Sequence, residues 1–280
     1  MVKIWRVAMS SLRDMILAEV QEKGMRLQNS GNDINIRRNN KGANKAGSGL
    51  QELLLINRLD KLFYLRDHLD EDRAGLHASS IIVSDADLCY RQQVLSLLYK
   101  QNQSPELPVR LMRIFKQGDA IHRKWQDLFV KAGIAEEIEG RSYSEQYELY
   151  FTPDAIINLD GKKYVVEIKS MNTLSYQRAT SHPSGRKQMQ LYMHLKCIPQ
   201  GFVLAEDKNT QEWKPFIEEY DPETVKPILA RLNDIQEMKQ AFLKYNEMPP
   251  RKCKKIDSKK SVECNMHDAC WNVGMGRIRL

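Results

Sequence analysis

The sequence predicts an α/β protein: a small mixed central sheet flanked by helices, with a C-terminal lobe bound through cysteines. Three observations predict it. Strands are expected between about 143 and 169, where Tyr164, Val166 and Ile168 alternate with Val165, Glu167 and Lys169 and Asp160-Gly161 offers a two-residue hairpin turn. On either side, residues 109–132 and 222–246 carry apolar residues at helical spacing. Beyond them, Cys253, Cys264 and Cys270 cluster among lysines.

Composition sets the class. The chain has 280 residues, 42% hydrophobic and 28% charged, enough to bury a sizeable core. It holds no run of 18 apolar residues, so no membrane-spanning helix and no membrane partner are expected. MVKIWRVAMSSLRDMILAEV carries charges throughout and lacks the apolar run of a signal peptide. The expected location is cytoplasmic, where five cysteines serve as thiols or metal ligands rather than disulfides. The net charge of +7 suits a polyanionic partner.

The elements follow in order. Residues 1–28 and 51–70 have helical spacing, separated by an Asn- and Gly-rich linker over 29–49. Ser84 with Asp87 three positions on has the form of a helix cap, predicting a helix to about Lys100. A helix over about 109–132 precedes the strands. A helix over about 186–197 and strands near 201–206 and 211–219 follow them. The last long helix starts at the Asp221 cap with Pro222 in its first position, and Pro227 would kink it or delay its start. Three regions result: 1–75, helical with the linker; 76–246, the core; and 247–280, the Cys-rich tail closing onto the helix that bears Cys89.

The hairpin raises the chemical question. With Asp160-Gly161 as its turn, Leu159 faces Lys162, and counting outward along both strands sets Asp154 opposite Glu167. Glu167 and Lys169 share a strand face. Opposed side chains stand about 5 Å apart, where like charges are destabilising. A divalent cation between the acids removes the repulsion, since hard cations prefer carboxylate oxygens. Alternatively, the acids lie on a solvated face with Lys169 as counter-charge. Glu-x-Lys alone is uninformative, because it recurs at Glu206, Glu212 and Glu237; the apolar strand and the matching aspartate distinguish Glu167. His122 shares a helix face with Gly118, Trp125 and Phe129, and Gln188 shares one with Tyr192. Either pair reads as core packing or as site structure.

In order, GDAIH (Gly118–His122), Pro153-Asp154, EIK (Glu167–Lys169) and QMQLY (Gln188–Tyr192) resemble the motifs of the RecB-like branch of the PD-(D/E)XK nuclease superfamily, over about residues 84–200. The resemblance implies a restriction-endonuclease-like core. It implies Mg²⁺ or Mn²⁺ on His122, Asp154, Glu167 and the backbone carbonyl of Ile168. Lys169 would position and activate the attacking water, and Gln188 and Tyr192 would organise the site and the DNA strand. A bound metal acidifies water and neutralises charge on a phosphate, which phosphodiester hydrolysis requires.

Three cysteines in a Lys-rich tail have little core to bury them, and four thiolates bind Zn²⁺ or a 4Fe–4S cluster. Cys89 with Cys253, Cys264 and Cys270 is similar to the arrangement in the iron–sulfur members of that branch, the CRISPR-associated and AddB-type exonucleases. The resemblance implies a structural 4Fe–4S cluster, with Zn²⁺ as the alternative. The ten residues between Cys253 and Cys264 exceed the usual short spacing, and His267 in place of a cysteine would favour zinc. Arg251, Lys252, Lys254, Lys255, Lys259 and Lys260 either track phosphates, with Trp271 available for base stacking, or form a solvated loop.

The reading is a metal-dependent DNA nuclease, an exonuclease on single strands or duplex ends. It would serve recombination, repair, phage replication or CRISPR adaptation, with a helicase, recombinase or CRISPR integrase as partner. The rivals are a catalytically inactive nucleic-acid-binding module of the same fold and a zinc-tail adaptor.

Overall fold

The computed structural model describes Ile56, residues 75–99 and residues 108–272. The chain divides into two units, Met1–Leu54 and Leu55–Leu280, and every described residue belongs to the second. The expected helix over 1–28 and the linker over 29–49 lie outside the described residues, as does all but Ile56 of the helix expected over 51–70.

In chain order the elements are β1 (Leu76–His77), α1 (Ala78–Ile81), α2 (Tyr90–Leu98), α3 (Val109–Lys131), β2 (Ala135–Ile138), β3 (Ser142–Ser144), β4 (Leu149–Phe151) and β5 (Ala155–Leu159). Then come β6 (Lys162–Met171), α4 (Thr173–Arg178), α5 (Pro183–Lys196), β7 (Gln200–Asp207), β8 (Trp213–Glu219), α6 (Pro222–Tyr245), α7 (Lys259–Val262) and α8 (His267–Asn272). A five-stranded mixed sheet runs β2-β5-β6-β7-β8, antiparallel except between β6 and β7. A three-stranded sheet runs β1-β4-β3. The fold is mixed α/β, with helices on both faces of the larger sheet.

The hairpin has the expected register. Leu159 pairs with Lys162 and Ala155 with Val166. Asp160 (φ 51°) and Gly161 (φ 80°) both take the left-handed conformation that a two-residue turn of matching twist demands. Alternation along the strands then fills two cores. Val165 and Val203 face α5 and α6 and join Met189, Met193, Leu232 and Ile235. Val166, Ile168, Phe202 and Leu204 face α3 and join Ile121 and Phe129. Parallel pairing of β6 with β7 requires a crossover, which α4 and α5 supply.

Three expectations change. Ser84 and Asp87 form a turn rather than a cap: Ser84 Oγ donates to Asp87 Oδ2 at 2.7 Å, so the hydroxyl is spent on the carboxylate. The helix therefore begins at Tyr90 with Cys89 as its N-cap and ends at Leu98. Pro227 neither delays nor divides α6, which runs unbroken from the Asp221 cap, where Asp221 Oδ1 accepts from Glu223 N at 3.0 Å. And α5 begins at Pro183 rather than 186, because His182 Nδ1 accepts from Gly185 N at 3.1 Å and caps the helix. Its far end turns at Cys197 (φ 54°), which gives the exposed fifth cysteine a place as a C-cap.

Gly161 has open space around it, so a side chain there meets strain and no clash. Gly161→Val should cost about 1–2 kcal/mol, read as a lower urea midpoint with an unchanged slope. An unchanged midpoint would show that the turn does not hold this conformation.

Candidate active site

The hairpin, α3 and α5 bring six of the named side chains together. Asp154 sits just before β5, where Oδ2 accepts from Ile168 N at 2.6 Å and Oδ1 lies 3.5 Å from His122 Nδ1. Glu167 is 1% exposed. Lys169 Nζ stands 2.5 Å from Glu167 Oε1 in an ion pair, and Glu167 Oε2 is buried without a hydrogen-bond partner. Lys169 also donates to Gln188 Oε1 at 3.3 Å, and Gln188 Nε2 donates to the Tyr192 hydroxyl at 2.9 Å. Tyr192 is buried and stacks on Phe151 at 5.9 Å. The acids are therefore not on a solvated face.

The electrostatics follow from burial. Desolvation, and then the charge of Asp154, push the Glu167 carboxyl up to about 8, against a smaller pull downward from Lys169. Asp154 is also raised, chiefly by burial, with His122 and the Ile168 N–H opposing. Burial and the charge of Glu167 raise the Tyr192 phenol above its ordinary value.

The Ile168 carbonyl has its own logic. Its N–H points toward β5, and in an antiparallel pair the carbonyl of the same residue points the same way. The register continued outward sets Pro153 opposite Ile168, and proline has no N–H to offer.

Sequence reasoning missed several positioning residues. Gln126 lies four residues after His122 on α3 and donates to the Asp154 carbonyl at 3.1 Å and to Glu139 Oε1 at 2.9 Å. That spacing was the available signal. Gly185 lets α5 lie close on the sheet: a Cβ there would meet His182 Nδ1 at 2.9 Å, Val203 Cγ1 at 3.1 Å and Lys169 Cγ at 3.3 Å. Burial and the nearby Lys169 charge lower the His182 imidazole. One turn before His122, no described residue outside the helix's own backbone lies within 4 Å of where a Gly118 Cβ would be.

A second cluster lies at the tail. Cys264 is raised by burial and also by Cys89, Cys270 and Cys253, so the four thiols named from the sequence are near neighbours. None of the five cysteines forms a disulfide. The tail is held against the start of α2: Gln92 Nε2 donates to Asn265 Oδ1 at 2.7 Å and Lys252 Nζ to the Leu88 carbonyl at 2.6 Å. His267 Nδ1 lies 2.8 Å from the Ser261 carbonyl. The expectation of phosphate tracking changes for part of the tail. Arg251 donates to the Cys270 carbonyl and covers the Trp271 ring at 4.7 Å, while Trp271 Nε1 donates to Ser261 Oγ. Trp271 is thus engaged within the tail rather than free for stacking. Lys259 and Lys260 lie near Glu263 and Asp87.

Among the described residues, no three His, Cys, Asp or Glu side chains have a geometry that holds a metal ion as it stands. The donor chemistry nevertheless fits both groups. Glu167 presents two buried oxygens, one in an ion pair with Lys169, beside a buried Asp154 and an imidazole, and at the tail Cys89, Cys253 and Cys270 lie close enough to raise the Cys264 thiol. Among the described residues, no helix is long and apolar enough to cross a membrane.

No family model and no curated protein matches the chain. Solved structures similar to it include an alkaline exonuclease, LHK-Exo, from Laribacter hongkongensis. The identity is 16%, the match covers 62% of this chain and 91% of that one, and the TM-score is 0.48. LHK-Exo in complex with dAMP matches at the same identity and coverage with a TM-score of 0.47. A phage-related exonuclease from Haemophilus somnus 129PT matches at 14% identity, covering 66% of this chain and all of that one, with a TM-score of 0.41.

A raised acid favours the folded state most when it is protonated. In metal-free protein, Glu167 therefore contributes stability fully below about pH 4.5 and loses it as the pH rises through about 8. Glu167→Gln should melt higher than wild type at pH 8.5 and nearly level with it at pH 4.5, both in chelator. Parallel melting curves across that range would overturn the assignment of a buried, proton-holding Glu167.

Proposed function

We propose that the protein is a metal-dependent DNA nuclease, an exonuclease acting on single strands or duplex ends. The observation that carries this reading is the Glu167 carboxylate, buried beside Asp154, with Lys169 in an ion pair with its Oε1. A purely structural site has no reason to hold two desolvated acids together. The order of the four motifs adds support.

His122, Asp154, Glu167 and the Ile168 carbonyl would hold the divalent cation, and the imidazole among oxygen donors suits Mn²⁺ at least as well as Mg²⁺. When bound, the cation supplies Lewis acidity to the phosphate and acidifies water. The protein's own groups do the rest. Lys169, hydrogen-bonded to Gln188, would position and activate the attacking water. Tyr192 anchors Gln188 from the inside, and Asp154 is held by the Ile168 N–H.

The same reading assigns Cys89, Cys253, Cys264 and Cys270 to a structural 4Fe–4S cluster, with Zn²⁺ as the alternative. The mutual closeness of the thiols supports it. The pathway partners belong to this reading as well: a helicase, a recombinase or a CRISPR integrase.

Linear and closed circular single-stranded DNA should separate the outcomes. With Mn²⁺ or Mg²⁺, wild type should degrade end-labelled linear DNA and spare the circle, and Lys169→Ala should lose at least a hundredfold in rate while staying folded. No cleavage by folded, metal-supplied protein would make the chain a binding module; a cut circle would make it an endonuclease. Cys264→Ala should lose bound metal and melt lower, and an unchanged metal content would remove the tail assignment.

A further inference from the structure

Among the described residues, a buried cation beside the cysteines has no anion paired with it. Arg91 lies two residues after Cys89 and is 7% exposed. Its Nη1 donates to the Pro249 carbonyl at 2.8 Å and its Nη2 to the Cys270 carbonyl at 3.4 Å. Its Nε is buried without a hydrogen-bond partner. Asp85 pairs with Arg231, Asp87 with Lys260 and Glu263 with Lys259, and among the described residues no carboxylate forms an ion pair with Arg91. Burying a guanidinium is unfavourable unless an anion faces it. More positive charge gathers at the same place. Arg251 donates twice to the Cys270 carbonyl, at 3.1 and 3.0 Å, and Lys252 holds the Leu88 carbonyl next to Cys89.

The four thiols are the obvious source of the missing anion. Surrounding a divalent zinc ion or an oxidised 4Fe–4S core, four thiolates leave a net dianion, whereas three thiolates and a histidine on zinc leave a monoanion. We propose that Arg91 is the counter-charge of a dianionic, all-cysteine metal centre held by Cys89, Cys253, Cys264 and Cys270. The inference rests on the four-cysteine assignment made above and adds a positioning residue to it. It also favours Cys270 over His267 as the fourth ligand, since Arg91 and Arg251 both hold the Cys270 backbone. A cluster beside this guanidinium would be easier to reduce, because the added electron meets a positive charge.

The test compares full-length wild type, Arg91→Met and Arg91→Lys, purified without oxygen. Iron, sulfide and zinc are assayed, and metal loss to a chelator is timed. For a cluster, the midpoint potential is also measured. Arg91→Met should lose its metal at least tenfold faster than wild type and, if it holds a cluster, titrate at a more negative potential. Arg91→Lys should fall between the two. In metal-free protein, wild type and Arg91→Met should melt close together, because removing an unpaired buried charge offsets the lost carbonyl bonds. Wild-type metal retention and potential in Arg91→Met would overturn the proposal and leave the cysteine site standing. A metal-free melting loss as large as the loaded one, or failure of Arg91→Met to fold, would make Arg91 a brace for two carbonyls and overturn it too. Wild type that binds neither iron nor zinc after reconstitution would overturn the four-cysteine assignment itself, and the proposal with it.

Discussion

The register of the β5–β6 hairpin is the constraint on which the rest depends. Strand side chains alternate, so a slip of one residue would turn Glu167 and Lys169 toward α3 and Ile168 toward α5. The turn at Asp160-Gly161 fixes the count, because both residues take the left-handed conformation and leave no spare position. The two cores then hold that choice in place. Val165 cannot leave the α5 side, nor Val166 and Ile168 the α3 side, without exposing buried apolar surface. The facing of two carboxylates is thus enforced by residues that take no part in the chemistry.

That hairpin was legible because its information is local. A turn dipeptide and a period of two determine which residue faces which, and Asp154 and Glu167 fall into place by counting. The four cysteines were named through resemblance, and Cys89, Cys253 and Cys270 are close enough to Cys264 to raise its thiol. The less legible parts depend on distant contacts. The short strands β1 and β2 have too few residues to show a period. His182 as a cap follows from a close approach of α5 to β6 that only Gly185 permits, and nothing in PSGRKQMQ signals it. The Ser84 misreading has the same origin: a hydroxyl and a carboxylate three residues apart can close a cap or bond each other, and local sequence does not decide which.

The site gathers its parts from opposite sides of one sheet. Glu167, Lys169, Gln188 and Tyr192 meet on the α5 side, while His122 reaches Asp154 from α3, where β5 has barely begun. Because Gln126 and the Glu139 region brace Asp154 through its carbonyl, the position of α3 sets how far the aspartate stands from the imidazole. Two separately packed cores therefore control one pair of groups, and disturbing either shifts the balance between them.

The union of tail and α2 has a consequence for biosynthesis. Cys89 emerges long before its neighbours Cys253, Cys264 and Cys270, with 163 residues between it and the first of them. At about 5–20 residues per second, the ribosome needs roughly ten to thirty seconds to supply the first of those neighbours. The core strands and α5 are all complete before then, so the sheet assembles while the lobe stays open. The final closure is a long-range event whose entropic cost falls on a domain already formed, which makes the tail the last part of the described core to dock during synthesis.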